Sequence, residues 1–239
     1  YGSVRVFERI NNEWIQKGSK LTGEQEMDWF GVQVELSGDG TKLFVSAIAY
    51  DIDVNDPNNS NGGKLYIYTF TNNDWNLVNS VEGTGNNNKM YFDISDDGTT
   101  FAINDNFNNK IKIYEYNYNN NSYALKGSEI SNNLYNFNDQ ISLSGNGNNI
   151  LITDNGSNYY VYTYDNDWIQ KGSTVISDQD KGNSSLKLNY DGSVFIYGSI
   201  QYNNMFVKTI SVSADVGSVL TNFENDGYSL YTAYYGTND

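Results

Sequence analysis

The side chains in this chain that could transfer protons or hold metal at neutral pH are carboxylates. Its 239 residues include no Cys and no His. Thiol nucleophiles, disulfides, the usual zinc sites and every Ser-His-Asp triad are therefore excluded. One set of polar residues forms a repeating row. Glu35, Asp93, Ser142, Lys187 and Asn222 each stand two places before a hairpin turn, alternating with Val34/Leu36, Phe92/Ile94, Ile141/Leu143 and Leu186/Leu188. If that strand is the innermost of its sheet, the row lines a channel. Two carboxylates on adjacent repeats, about 5–10 Å apart, could then act as acid and base or nucleophile of a glycosidase. Lys187 in the same row favours instead a polar lining whose charges compensate one another, and the expectation is no enzymatic activity.

A second set, Asp51-Ile52-Asp53-Val54-Asn55-Asp56, begins like a calcium loop, with oxygen ligands at alternate positions. The sixth place holds Asp56 where that loop needs Gly, and the twelfth holds Gly62 where it needs Glu. Residues 51–63 therefore read as the longest polar loop. Asp51, Asp53 and Asn55 are the candidate metal ligands, calcium the one candidate ion, and no cofactor is expected. Among aromatic residues, Trp29 stands before Phe30-Gly31 and is not repeated, which makes it the candidate for ligand binding. Trp14, Trp75 and Trp168 occupy one repeated place, so packing between neighbouring repeats explains them first.

The elements that must position these residues recur along the chain. Trp14-Ile15-Gln16-Lys17-Gly18-Ser19 returns letter for letter as Trp168-Ile169-Gln170-Lys171-Gly172-Ser173, with weaker copies at Trp75–Ser80 and Tyr123–Ser128. Before each lies an alternating aromatic-rich run, such as Leu65-Tyr66-Ile67-Tyr68, and after each comes another run ending in a turn. The turns fall at 37–40, 95–98, 144–147, 189–192 and 224–227. Five turns across 239 residues give a mean period of about 48, in the range of four-stranded propeller blades. Period-two alternation with Tyr, Val, Ile and Phe enrichment predicts strands throughout and no helix beyond a turn or two. In the second repeat the predicted strands are 90–95, 99–104, 110–117 and 122–127, and Asp-Gly or Asn-Gly closes each first hairpin.

The expected architecture is one all-β domain over residues 1–239, a five-bladed β-propeller of four-stranded antiparallel blades. The first residues read as a third and fourth strand, Tyr1–Ile10 and the Trp14 strand, and Tyr228–Tyr235 reads as a second strand. Pairing N- and C-terminal strands would close the ring and remove sheet edges. The fifth repeat is irregular: after Met205–Ser213 no Trp-x-x-x-Gly segment follows before Val219.

The order Gly-x-Val-x-Val-Phe, Trp-x-x-x-Gly-Ser, Phe30-Gly31-Val32-Gln33-Val34 and Ser-x-Asp-Gly resembles the integrin-like, FG-GAP-related propeller repeats. The resemblance spans nearly the whole chain and is strongest over Gly2–Tyr50. It implies an extracellular or surface-displayed module used for adhesion or structure. That family's calcium-binding hairpins carry Asp-x-Asp/Asn-x-Asp-Gly. Here only the final Asp-Gly remains, so metal at the hairpins does not carry over.

Charge and composition bound the partners. Fourteen Lys+Arg against 29 Asp+Glu give a net charge of −15. That balance argues against phosphate-tracking nucleic-acid binding and against docking on anionic lipid. No apolar run approaches the roughly 18 residues of a membrane span. With 21 Tyr, 11 Phe and 4 Trp the chain can build a core despite a mean hydropathy of −0.60. A chain opening on Tyr1 reads as part of a longer or processed product. Sequons at Asn58, Asn120, Asn155 and Asn183 are the glycosylation candidates, without enrichment over chance in so Asn-rich a sequence. The functional expectation is a non-catalytic structural or adhesion module whose partner is a protein or a glycan. The alternative is a carbohydrate-binding lectin.

Overall fold

The computed structural model describes residues 2–51, 61–84, 90–131, 137–154, 158–176, 185–201 and 204–211. Among these all regular structure is β. The half sheet at the N-terminal side pairs β1 (Ser3–Val4) with β4 (Leu21–Thr22) and β2 (Phe7–Ile10) with β3 (Glu13–Gln16). A first sheet follows in the order β5 (Phe30–Leu36), β6 (Lys42–Ala47), β7 (Lys64–Thr71), β8 (Asp74–Glu82). The second sheet runs β9 (Tyr91–Ile94), β10 (Thr100–Asp105), β11 (Lys110–Asn117), β12 (Ser122–Leu125), with β13 (Ile130–Ser131) also on β11. The third contains β14 (Phe137–Leu143), β15 (Asn149–Asp154), β16 (Asn158–Asp165) and β17 (Asp167–Ile176). The fourth shows β18 (Ser185–Leu188), β19 (Val194–Gln201) and β20 (Asn204–Ser211). All described pairings are antiparallel and, apart from β1–β4 and β11–β13, join sequence neighbours, which is the low-cost way to build sheets from short local connections.

The hairpin turns explain why each sheet starts as it does. Ser37 N–H donates to Lys42 O (3.0 Å) and Gly40 N–H to Ser37 O (2.8 Å), so the loop holds four residues, not two. The second loop residue locks it: Asp39 accepts the hydroxyls of Ser37 (2.6 Å) and Thr41 (2.8 Å). Asp97, Asn146 and Asp191 repeat that role. Gly40, Gly98, Gly147 and Gly192 follow at φ between 60° and 74°, the left-handed region a Cβ disfavours. The turns also bond sheet to sheet: Gly38 N–H to Asp96 O (2.6 Å), Asp96 N–H to Gly145 O (2.8 Å) and Asn146 N–H to Tyr190 O (2.9 Å).

The core lies between sheets. Alternation sends the two faces of each second strand to opposite neighbours. Thus Leu43 and Val45 pack toward Val4, Val6 and Leu21, while Phe44 packs on Phe92, Ile94 and Phe101. Ala102 meets Ile141 and Leu143 at the next boundary, and Leu151 meets Leu186 and Leu188 at the one after. Fully burying one such side chain is worth about 1.5–3 kcal/mol. The same places on the first sheet are open: Val34 is 47% and Leu36 45% exposed, against 2% for Phe92.

Most expected boundaries agree within a residue or two. The strand read over 1–10 is interrupted between Val4 and Phe7. The turn and second strand read over 224–235 lie outside the described residues, as does Asn222.

Candidate functional site

The polar row on the inner strands was the chemical candidate, and the fold brings its described members together. Asp93 is 4% exposed, and both of its oxygens are engaged. Lys187 Nζ lies 3.0 and 3.1 Å from its two oxygens, and Leu143 N–H (2.7 Å), Ser142 Oγ (3.1 Å) and Ile94 N–H (3.1 Å) donate to it. Ser142 Oγ in turn accepts Leu188 N–H (3.0 Å). Gln33, one turn of the pleat from Glu35, does the same for the preceding boundary. Its Nε2 donates to Phe92 O (2.6 Å) and its Oε1 accepts Phe92 N–H (3.3 Å). Each inner strand thus grips the backbone of the next through one side chain. These are buried donors and acceptors that would otherwise cost 1–3 kcal/mol each, by typical magnitudes of about that size.

Glu35 behaves differently. Burial pushes its carboxyl above the usual carboxylate range, the Asp93 charge adds to that, and Lys187 and Gln33 oppose it. The row therefore holds one acid that resists ionisation and one that is fully engaged in joining sheets. A two-carboxylate hydrolase needs its second carboxylate free to reach substrate or water. Asp93 has no unoccupied oxygen.

The opposite ends of the inner strands carry the aromatic candidate. Trp29 is 55% exposed with φ 55°, and Met27, two residues earlier, is 75% exposed with φ 62°. Left-handed backbone at bulky residues stores strain and persists only when its surroundings fix it. Asp28 supplies the fixing: it is fully buried and accepts Phe30 N–H (3.1 Å) and Gln25 N–H (3.3 Å). The result is two large side chains held outward on an anchored segment.

Of the candidate metal ligands, Asp51 accepts Asn61 N–H at 2.6 Å, while its backbone is bracketed by both ends of the Gln25 amide. It closes the base of the long loop. Asp53 and Asn55 lie outside the described residues, as do the sequons Asn58, Asn155 and Asn183. Asn120 is described: it sits exposed on the β11–β12 hairpin, and its Oδ1 accepts Ser122 N–H (3.3 Å).

The repeated tryptophans clasp neighbouring sheets. Trp75 Nε1 donates to Lys17 O (2.8 Å) and Trp168 Nε1 to Lys126 O (2.6 Å). Beside them, Asp74 accepts Ser19 N–H and Asp167 accepts Ser128 N–H, both at 2.7 Å. A Cβ on Gly18 would stand 2.7 Å from Trp75 Cδ1, so the glycine is required. Trp14 departs from this expectation at 70% exposure, because no carbonyl of a preceding sheet lies against it among the described residues. Sequence reasoning missed Gln33, Asp74 and Asp167. The Asp-Trp pair is visible at 74–75 and 167–168, and that repetition was the available signal.

Successive four-stranded antiparallel sheets, joined face to face around a shared inner row, decide the architecture together with its structural relatives. No family model and no curated protein matches the chain. Solved structures do match. The Swd1 β-propeller domain of Myceliophteria thermophila is 8% identical with a TM-score of 0.59, covering 87% of this chain and 64% of that one. A functionally unknown protein from Desulfotomaculum acetoxidans is 13% identical with a TM-score of 0.55, over 87% and 63%. The WD40 repeats of RRP9 are 11% identical with a TM-score of 0.51, over 74% and 49%. The fold is a β-propeller. Its sheets are blades, and this chain spans at most 64% of the length of these three propellers.

Proposed function

We propose that the chain is a non-catalytic five-bladed propeller, closed by pairing N- and C-terminal strands. It acts as an extracellular or surface-displayed structural and adhesion module, in keeping with its resemblance to FG-GAP repeats. The observation that carries the non-catalytic reading is the saturation of Asp93 by Lys187, Ser142 and two backbone N–H groups. Of the two carboxylates placed for chemistry, Asp93 is spent on holding blades together. Recognition then belongs to the loops at the mouth carrying Met27 and Trp29, the usual location of specificity on a rigid scaffold. The partner is a protein. A glycan is the second reading, favoured by the outward indole of Trp29, whose face suits a sugar ring.

A polysaccharide panel and a glycan array, run with calcium and with chelator, test both. The expected outcome is no turnover and no glycan signal. Turnover abolished by Glu35→Gln would overturn the non-catalytic reading. Glycan binding abolished by Trp29→Ala would replace the protein partner with a carbohydrate.

A further inference from the structure

The molecule repeatedly holds a cation between an aromatic face and a carboxylate. Lys64 Nζ lies 4.6 Å from the ring centre of Tyr50 and 5.0 Å from that of Tyr66, with Glu24 at 3.2 Å and Glu82 at 3.4 Å. Lys126 Nζ lies 4.9 Å from the Tyr164 ring centre and 2.9 Å from Glu115. Lys17 Nζ lies 4.8 Å from the Phe70 ring centre and 3.3 Å from Glu8. The ring face is the negative end of the aromatic quadrupole, and the carboxylate adds to its attraction. In each of these sites the cation comes from this chain.

Glu24 opens the segment that turns Met27 and Trp29 outward. That segment carries the other two parts of the arrangement. Trp29 presents an indole over which no Lys or Arg lies among the described residues. Glu26 is exposed and has no ion pair among the described residues. Indole is the best cation–π face among side chains, and the polarizable thioether of Met27 suits the same soft, weakly hydrated groups. Neither supplies the oxygen ligands that a hard metal ion needs. The backbone between them is already fixed by the bonds to buried Asp28, which lowers the ordering cost of binding.

We infer that Glu26, Met27 and Trp29 take an arginine or lysine side chain from a basic segment of a protein partner. The net charge of −15 steers such a segment toward the molecule and repels acidic competitors. This deepens the protein-partner reading of the proposed function and rests on it.

A random peptide library displayed on phage separates the two. Peptides that bind the parent and not Trp29→Ala should be enriched in Arg and Lys. A set without that enrichment would overturn the cation assignment and leave the mouth as the recognition surface. If Trp29→Ala loses no peptide, the mouth reading itself falls and takes the inference with it. Fluorescence anisotropy then measures the site with a labelled Gly-Ser peptide carrying Arg at alternate positions. Trp29→Ala should bind it about tenfold more weakly than the parent. Glu26→Lys should weaken it about fivefold, and this variant keeps the test decisive if Trp29→Ala unfolds. Trp14→Ala removes another outward indole, 70% exposed on a different hairpin, and should change nothing. Equal losses in Trp14→Ala and Trp29→Ala, or unchanged affinity in Glu26→Lys, would reduce the binding to diffuse attraction and overturn the inference.

Discussion

Removing the Asp93 carboxylate isolates what the inner row contributes. In Asp93→Ala, Leu143 N–H loses a 2.7 Å acceptor and Ser142 Oγ loses a 3.1 Å acceptor inside the blade interface. Hydrogen bonds to a charged group contribute about 1.5–3 kcal/mol each, and the stranded buried N–H adds to that cost. The ion pair contributes little, since the Lys187 side chain is 60% exposed and returns to water. The expected loss is about 2–4 kcal/mol. Asp93→Asn keeps an oxygen for Leu143 N–H and should lose only about 1–2 kcal/mol. Urea titration followed by tryptophan fluorescence and circular dichroism measures both, with an unchanged m-value showing that the unfolding unit is the same. A double-mutant cycle with Lys187→Ala should return a coupling below about 1 kcal/mol. If Asp93→Asn is as damaging as Asp93→Ala, or if the coupling exceeds that bound, the charge rather than the bridging geometry holds the blades, and the reasoning fails.

Other perturbations separate the remaining contacts. Trp168→Phe removes the indole donor to Lys126 O and should cost about 1–2 kcal/mol, whereas Trp168→Ala should cost about 3–5 kcal/mol by denaturant titration. Gly127→Ala places a Cβ 2.7 Å from Asp167 Oδ1 and should exceed Gly172→Ala by at least about 1 kcal/mol, since nothing lies within 4 Å of Gly172 and both share a positive φ. The raised Glu35 means that the folded state holds this proton more tightly than the unfolded chain. Stability therefore falls as pH rises from the unfolded value of about 4.3 through the raised folded value, and Glu35→Gln should gain Tm over the parent across that range. An equal Tm difference at about pH 4 and about pH 8 would refute the assignment. Asp39 and Asp191 are held below the usual range, chiefly by the hydroxyls of Ser37 and Ser193. Their contribution is complete above about pH 4 and is lost as pH falls through the lowered values, so Asp39→Ala with Asp191→Ala should flatten the acid limb of Tm against pH.

The hairpins and strands were legible because their signals are local. Ser-x-Asp-Gly fixes a turn, and the alternation around it fixes which face is apolar, so the phase of Glu35, Asp93, Ser142 and Lys187 came directly from spacing. The compensating role of Lys187 followed from its sharing that row with Asp93. Contacts made across blades were harder. Gln33 and Asp74 act on backbone atoms some sixty and fifty-five residues away, and a backbone N–H leaves no mark in a sequence. The buried place expected for Trp14 was a statement about a neighbour, and the described residues do not supply one. Trp29 stood out because it broke the repeat, while the left-handed segment that presents it depends on the burial of Asp28, which composition does not announce.

The turn-to-turn bonds from Gly38 through Asp96 and Gly145 to Tyr190 act as a stitched seam along one rim. Lengthening the 95–98 or the 144–147 turn by a single residue would break two stitches, and lengthening either outer turn would break one, so that rim must keep a fixed outline as the sequence drifts. On the opposite rim the bonds between loops run through side chains, as where the Gln25 amide brackets the Asp51 backbone and Asn108 Nδ2 donates to Thr84 Oγ1, and such bonds can be exchanged by substitution. Variation in what the molecule contacts should therefore accumulate on one side only, with the other serving as an invariant base.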